Sequence, residues 1–140
     1  MIEVRPSVPS DAEDLLRIWR GAVDATHDFL SSEDRAAIEP LVCDYVSTAS
    51  LIVAVLDGVP VAFMGVTEQA IDSLFIDAPA QRKGIGRLLA DLVQRPTTVD
   101  VNEQNEGAVA FYRQLGFAVV GRSETDGEGR PYPLLQMRRD

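Results

Sequence analysis

The chain has 140 residues, 46% hydrophobic and 25% charged, which reads as one globular domain, 1–140, with enough length for a sizeable core. A net charge of −9 argues against a broad surface for nucleic acid or anionic membrane. No apolar run nears the ~20 residues that span a bilayer, no signal peptide is visible, and the single cysteine excludes an internal disulfide and fits a reducing cytoplasm.

In chain order, "IEVRPSV" reads as a first strand and "SDAEDLLRIWRGAVDAT" as a helix. Ser10 is the expected N-cap, with Glu13 as its capping-box partner. Leu15, Ile18, Trp19, Ala22 and Val23 recur on one helical face. Ser31 or Ser32 caps a second helix, about 33 to 48, in which Ile38, Val42, Tyr45, Val46 and Ala49 recur and Pro40 predicts a kink or a split. Cys43 is expected to be a small buried apolar residue. "LIVAVL" is a covered strand, "DG" at 57–58 a hairpin turn and "VPVAFMGVT" the antiparallel partner. "AIDSLFI" is a fourth strand. A helix follows with Ile85, Leu88, Leu89, Leu92 and Val93 on one stripe, running to Pro96. "TTVDV" is a short strand, "NEGAVAFYRQLG" a helix ended by Gly116, and "FAVVGRSE" and "PLLQMRR" the last two strands. The order β-α-α-β-β-β-α-β-α-β-β implies an α/β (α+β) fold: one mixed, mostly antiparallel sheet with helices on both faces.

The turn "QRKGIGR" carries the chemistry. Arg82, Lys83 and Arg87 gather three cations in an acidic chain, and Lys83 is its only lysine. Gly84 and Gly86 take bulk away from the backbone amides that open a helix, and Ile85 lies between them. Such a turn suits a phosphate or diphosphate. The same glycines also serve as a plain strand-to-helix turn with solvated cations, and a G-x-G alone does not choose. Other phosphate motifs fit worse: a P-loop needs Gly-Lys followed by Ser or Thr, which the chain lacks, and a dinucleotide fingerprint wants a third glycine where Leu89 stands.

"QRKGIG" resembles the Q/R-x-x-G-x-G/A signature of the GCN5-related N-acetyltransferases (GNAT). "NEGAVAFYRQLGF" is similar to that family's N-x-x-A-x-x-x-Y-x-x-x-G-F segment, through Asn105, Ala108, Tyr112, Gly116 and Phe117. Both segments stand in the family's order, and the element order agrees along essentially the whole chain. "DATHDFLS", "LFID" and "GRPYPLL" further resemble a small group of little-characterised bacterial members.

The resemblance implies acetyl-coenzyme A as cofactor, its diphosphate on Arg82, Lys83, Gly84, Ile85, Gly86 and Arg87. Its pantetheine arm would pair with Leu74, Phe75 and Ile76 as an added strand. It places Asn105 at the cofactor, a residue that also serves as a helix N-cap. It makes Tyr112 the acid that protonates the departing thiolate, against core packing as the plain alternative. The attacking ammonium, with a pKa of about 10.4 if lysine-like, must first lose a proton. Asp72 and Asp100 match positions at which different branches of the family carry a glutamate base, and each is otherwise a solvated strand residue. The acceptor side is expected near His27 and Asp28, between the first two helices, and at Tyr132. No metal is expected. The implied activity is acetyl transfer to a primary amine, in a small molecule or a protein lysine or N-terminus, in the cytoplasm; family members are often homodimers. A non-catalytic acyl-CoA sensor and a nucleotide-binding regulator are the competing classes.

Overall fold

The computed structural model describes residues 2–26 and 29–140. Strand β1 spans Ile2–Pro6, helix α1 Ala12–Thr26, α2 Ser32–Thr48, β2 Ile52–Leu56, β3 Val59–Thr67 and β4 Ala70–Ile76. Helix α3 follows at Ile85–Ala90, then β5 Thr97–Asn102, α4 Glu106–Gln114, β6 Ala118–Ser123 and β7 Leu134–Arg139. The seven strands form one open sheet in the order β1-β2-β3-β4-β5-β7-β6. The pairs β1–β2, β2–β3, β5–β7 and β6–β7 are antiparallel, and β4–β5 is parallel. The element order is the one expected from periodicity. No helix among the described residues is long and apolar enough to cross a membrane.

The chain falls into two compact units, residues up to Gly65 with Ser73–Ala90, and Val66–Asp72 with Asp91–Asp140. In the first, α1 turns Leu15, Ile18, Trp19 and Val23 onto Val53 and Val55 of β2 and Phe63 of β3, with Val46 of α2 and Leu51 closing the cluster. These α1 residues are the stripe that the 3.6-residue spacing marks. Asp57 (φ 52°) and Gly58 (φ 83°) both take left-handed conformations, as a two-residue primed hairpin turn requires, and Leu56 pairs with Val59 across it.

Four expectations change. The start of α1 is held not by Ser10 and Glu13 but by a 3-10 turn over Pro9–Asp11. Asp11 accepts from the Val8 amide (2.8 Å) and takes both Arg5 guanidinium nitrogens (2.8 and 2.9 Å), and the Arg5 hydrogen bond holds its carboxyl below the usual range. Pro9, with its fixed φ, preorganises that turn one step earlier than a Ser10 cap allows. Second, α2 is one helix across Pro40 rather than split there; its cap is Ser31, one of the two expected, whose hydroxyl accepts from the Asp34 amide (3.1 Å). Third, Cys43 is exposed. The buried side of α2 belongs to Ile38, Val42, Tyr45, Val46 and Ala49, and position 43 lies about 100° around from Val42. Fourth, α3 ends at Ala90 rather than near Pro96, leaving Leu88 and Leu92 40% and 53% exposed. The chain leaves the helix at Asp91, whose carboxylate turns to Arg139 (3.1 Å).

Helix α2 is also pinned to the sheet by one close approach. The Tyr45 hydroxyl meets Ser73 Oγ at 2.8 Å, and Ser73 accepts from the Gly65 amide at 3.0 Å. A Cβ at Gly65 would collide with the Tyr45 hydroxyl and lie 2.9 Å from Ser73 Oγ and 3.0 Å from Leu51 Cδ2. Gly65→Ala is therefore expected to cost about 1–3 kcal/mol by overpacking, read from urea unfolding, and Tyr45→Phe in the same chain should return part of that loss.

Candidate functional site

The turn after β4 lies in the first unit. The Asp77 amide donates to the Val61 carbonyl (2.8 Å), Arg17 holds the Asp77 carboxylate (2.7 Å), and a 3-10 turn over Ala78–Ala80 leads into Gln81–Gly84. Arg82 (φ 65°) and Gly84 (φ 78°) both take left-handed conformations. A Cβ at Gly84 would meet nothing within 4 Å, so this glycine serves backbone shape beside open space rather than avoiding a neighbour. Gly86 is buried in the first turn of α3.

Among the described residues eight of the 13 basic residues pair with carboxylates, and Arg95 and Arg113 share with this turn the lack of such a partner. Arg5, Arg17, Arg20, Arg35, Arg122, Arg130, Arg138 and Arg139 all face carboxylates within ion-pair distance. Arg82, Lys83 and Arg87 are exposed and have no carboxylate partner among the described residues. In a chain of net charge −9, three neighbouring cations are left uncommitted.

Leu74, Phe75 and Ile76 are half-buried at the end of β4, and the Phe75 ring packs 5.5 Å from that of Phe63. The parallel register of β4 with β5 is Ala70↔Thr98 and Ile71↔Val99. Leu74, Phe75 and Ile76 lie past that stretch.

The second unit holds both candidate bases. Asp72 follows Ile71 and Asp100 follows Val99, so each stands one step beyond the last paired residues of its strand. Both are exposed, while Ile71, Val99 and Val101 turn to the buried face. Asp72 Oδ2 accepts from the Thr67 hydroxyl across the β3–β4 hairpin. Asn105 caps α4, its Oδ1 accepting from the Ala108 amide at 3.1 Å. Tyr112 is 7% exposed and touches Phe111 (5.0 Å, 72°) and Phe117 (5.2 Å, 75°) edge to face. Burial pushes its hydroxyl well above the ordinary phenol range, which keeps the proton in place at neutral pH. Tyr132 is also 7% exposed, in the segment joining β6 to β7.

His27 and Asp28 lie outside the described residues. Beside them in sequence, a cavity of about 360 Å³ opens between α1 and α2, lined by Val23, Asp24, Leu30, Ser32, Arg35 and Ala36. On its polar side Asp24 pairs with Arg35 (2.9 Å); behind the lining Arg35 also pairs with Glu39 (2.7 Å) and Glu39 with Arg20 (2.9 Å), and Arg35 stacks 4.8 Å over Trp19. The hydrogen bonds from Arg20 and Arg35 pull the Glu39 carboxyl down to about 2, so Glu39 is ionised at physiological pH. Among the described residues no metal-binding cluster of His, Cys, Asp and Glu comes together.

Two contacts carry no signal in the sequence. Thr67 reads as the end of a strand, and only hairpin register brings its hydroxyl to Asp72. Tyr45 reads as a core residue, and its reach to Ser73 depends on how α2 packs.

Residues 29–138 match the family model of the acetyltransferase (GNAT) domain. The chain is 50% identical to the peptidyl-lysine N-acetyltransferase YjaB of Salmonella typhimurium, over 98% of this chain and 97% of that protein. It superposes on the solution structure of apo YjaB from Escherichia coli with a TM-score of 0.95 at 46% identity, covering 99% and 97% of the two chains. The PaiA N-acetyltransferase of Thermoplasma acidophilum in complex with coenzyme A shares the fold at 20% identity, with a TM-score of 0.74 over 100% and 99% of the chains.

Proposed function

Since the chain belongs to the GCN5-related N-acetyltransferase (GNAT) family and is an acetyl-CoA-dependent N-acetyltransferase, we propose that its acceptor is a lysine side chain of a peptide or protein. The name of its Salmonella relative and an acidic surface that attracts cationic chains support that acceptor. In this reading residues 1–140 act as one acetyltransferase domain in the cytoplasm, with which a single cysteine is compatible.

One observation carries the cofactor side: the uncommitted cations Arg82, Lys83 and Arg87 around an open, left-handed glycine, which fit a diphosphate. Ile85 and Gly86 open α3 behind them. The backbone of Leu74, Phe75 and Ile76, past the paired stretch of β4 and β5, receives the pantetheine arm. Asn105 spends its Oδ1 on the α4 cap, so its amide nitrogen is the end that turns to the cofactor. When bound, acetyl-coenzyme A supplies an acetyl group activated as a thioester.

Tyr112, kept protonated by burial, donates to the departing sulfur. Asp72 and Asp100, each one step past the last paired residues of β4 and β5, are the carboxylates that draw the proton from the incoming ammonium through water. Thr67 orients Asp72 for this. His27, Asp28 and Tyr132 lie toward the acceptor, as does the cavity between α1 and α2.

The test is release of free thiol from acetyl-CoA with a lysine peptide, alongside calorimetric binding of coenzyme A. Arg82→Gln with Arg87→Gln is expected to weaken coenzyme A about fivefold at low salt, with the difference shrinking as salt screens it. Equal affinity in parent and double variant would move the diphosphate away from this turn. Coenzyme A binding with no thiol release across lysine peptides and blocked N-terminal amines would remove the proposed acceptor.

A further inference from the structure

The lone lysine at the phosphate turn has a consequence for control of the enzyme. We propose that Lys83 is an acetylation site through which acetyl-CoA acts back on this protein, lowering its own affinity for the coenzyme. The proposal rests on the reading that the turn at 82–87 takes the diphosphate.

Lysine is the chain's rarest way of carrying positive charge. Of its 13 basic residues Lys83 is the single lysine, and the rest are arginine. A guanidinium stays protonated and does not attack a thioester, whereas an ε-ammonium loses its proton readily enough to become a nucleophile. Acylation of side-chain amines is thus confined to one position. That position is exposed and has no carboxylate to shield it among the described residues. It is also flanked by left-handed backbone at Arg82 and Gly84, on a turn where a Cβ at Gly84 would meet only open space. An acetyl donor can therefore approach.

In the step itself the neutral Lys83 amine attacks the acetyl carbonyl. An N–C bond forms and the C–S bond breaks. The nitrogen loses a proton, and the coenzyme leaves as its thiol with one proton gained. The donor is a second molecule of acetyl-CoA, free or carried by another copy of the enzyme, because a coenzyme seated on the same turn holds its thioester at the far end of the pantetheine arm. The product amide is neutral. One of the turn's three cations disappears, while Arg82 and Arg87 remain, so binding weakens without being abolished.

The purified chain is incubated with acetyl-CoA and mapped by peptide mass spectrometry. Binding of coenzyme A is then measured by calorimetry for the unmodified chain and for a chain carrying acetyl-lysine installed at position 83. Acetyl on Lys83, slowed by added coenzyme A, is expected, together with a Kd raised about fivefold at low salt and converging at high salt. Lys83→Arg should show no label at that position. Label that accumulates only on the N-terminal amine, or equal affinity of the modified and unmodified chains, would overturn the proposal. Failure of the unmodified chain to bind coenzyme A would instead bring down the diphosphate reading, and the labelling arm would still report whether Lys83 is the reactive amine.

Discussion

Replacing Tyr112 with phenylalanine is expected to slow acetyl transfer on the order of tenfold or more while leaving the Kd for coenzyme A nearly unchanged. The ring contacts with Phe111 and Phe117 survive in the variant, so the loss isolates the hydroxyl. The expected factor sits at the low end for acid catalysis because a thiolate, with a pKa near ~8.5, leaves fairly well unaided. Thiol release under saturating acetyl-CoA reads the effect, and unchanged turnover would remove Tyr112 from the chemistry. A pH series gives an independent reading. Burial raises the hydroxyl above its ordinary value of 10.0, so the folded chain holds this proton more tightly than the unfolded chain does. Its contribution is fully present below the ordinary phenol range, and stability falls as pH rises through and beyond it. Tyr112→Phe should lose that alkaline decline, visible in unfolding midpoints between neutral pH and about 11.

Arg139→Ala is expected to cost about 3 kcal/mol of stability, the largest effect of any single substitution considered for the second unit. The side chain is 4% exposed on β7, and its guanidinium lies 5.0 Å over the Phe117 ring, 3.1 Å from Asp91 Oδ1 and 3.4 Å from the Leu115 carbonyl. Asp91 is 48% exposed, so water screens the ion pair, and little of the cost comes from it. Most comes from the lost stem, which runs along Gly116 at the end of α4, and from a buried carbonyl deprived of its donor. Arg139→Met keeps the stem and should restore roughly half of the loss in urea unfolding. Equal destabilisation by Ala and Met would show that charge, not packing, dominates at this position.

Local signals led to correct elements wherever the physics was local. The apolar stripe of α1, the Asp57-Gly58 hairpin, and Gly116 with φ 99° closing α4 through the Phe117 amide to the Tyr112 carbonyl (3.0 Å) all follow from spacing or from a backbone conformation that one residue type tolerates best. Expectations failed where two local signals competed or a distant partner intervened. Ser10 and Glu13 make a plausible capping box, but Pro9 and the Arg5–Asp11 pair pre-empt it. The stripe after Gly86 predicts a longer helix, but the chain departs at Asp91 toward a strand nearly fifty residues on, with an Asp91–Arg139 hydrogen bond spanning 48 positions.

The candidate site divides along the same line. The glycines and cations at 82–87 and the spacing of Asn105, Tyr112 and Gly116 are readable in the linear chain, because a turn and one helix each bring their own residues together. That Asp72 and Asp100 each follow the last paired residue of its strand required the parallel pairing of β4 with β5, and that Arg82, Lys83 and Arg87 stay unpaired while most arginines find carboxylates required the folded surface. Strand pairing and charge pairing join residues far apart in sequence, and exclusion of water from Tyr112 is a property of everything packed around it; none of these is encoded in the spacing of a single segment.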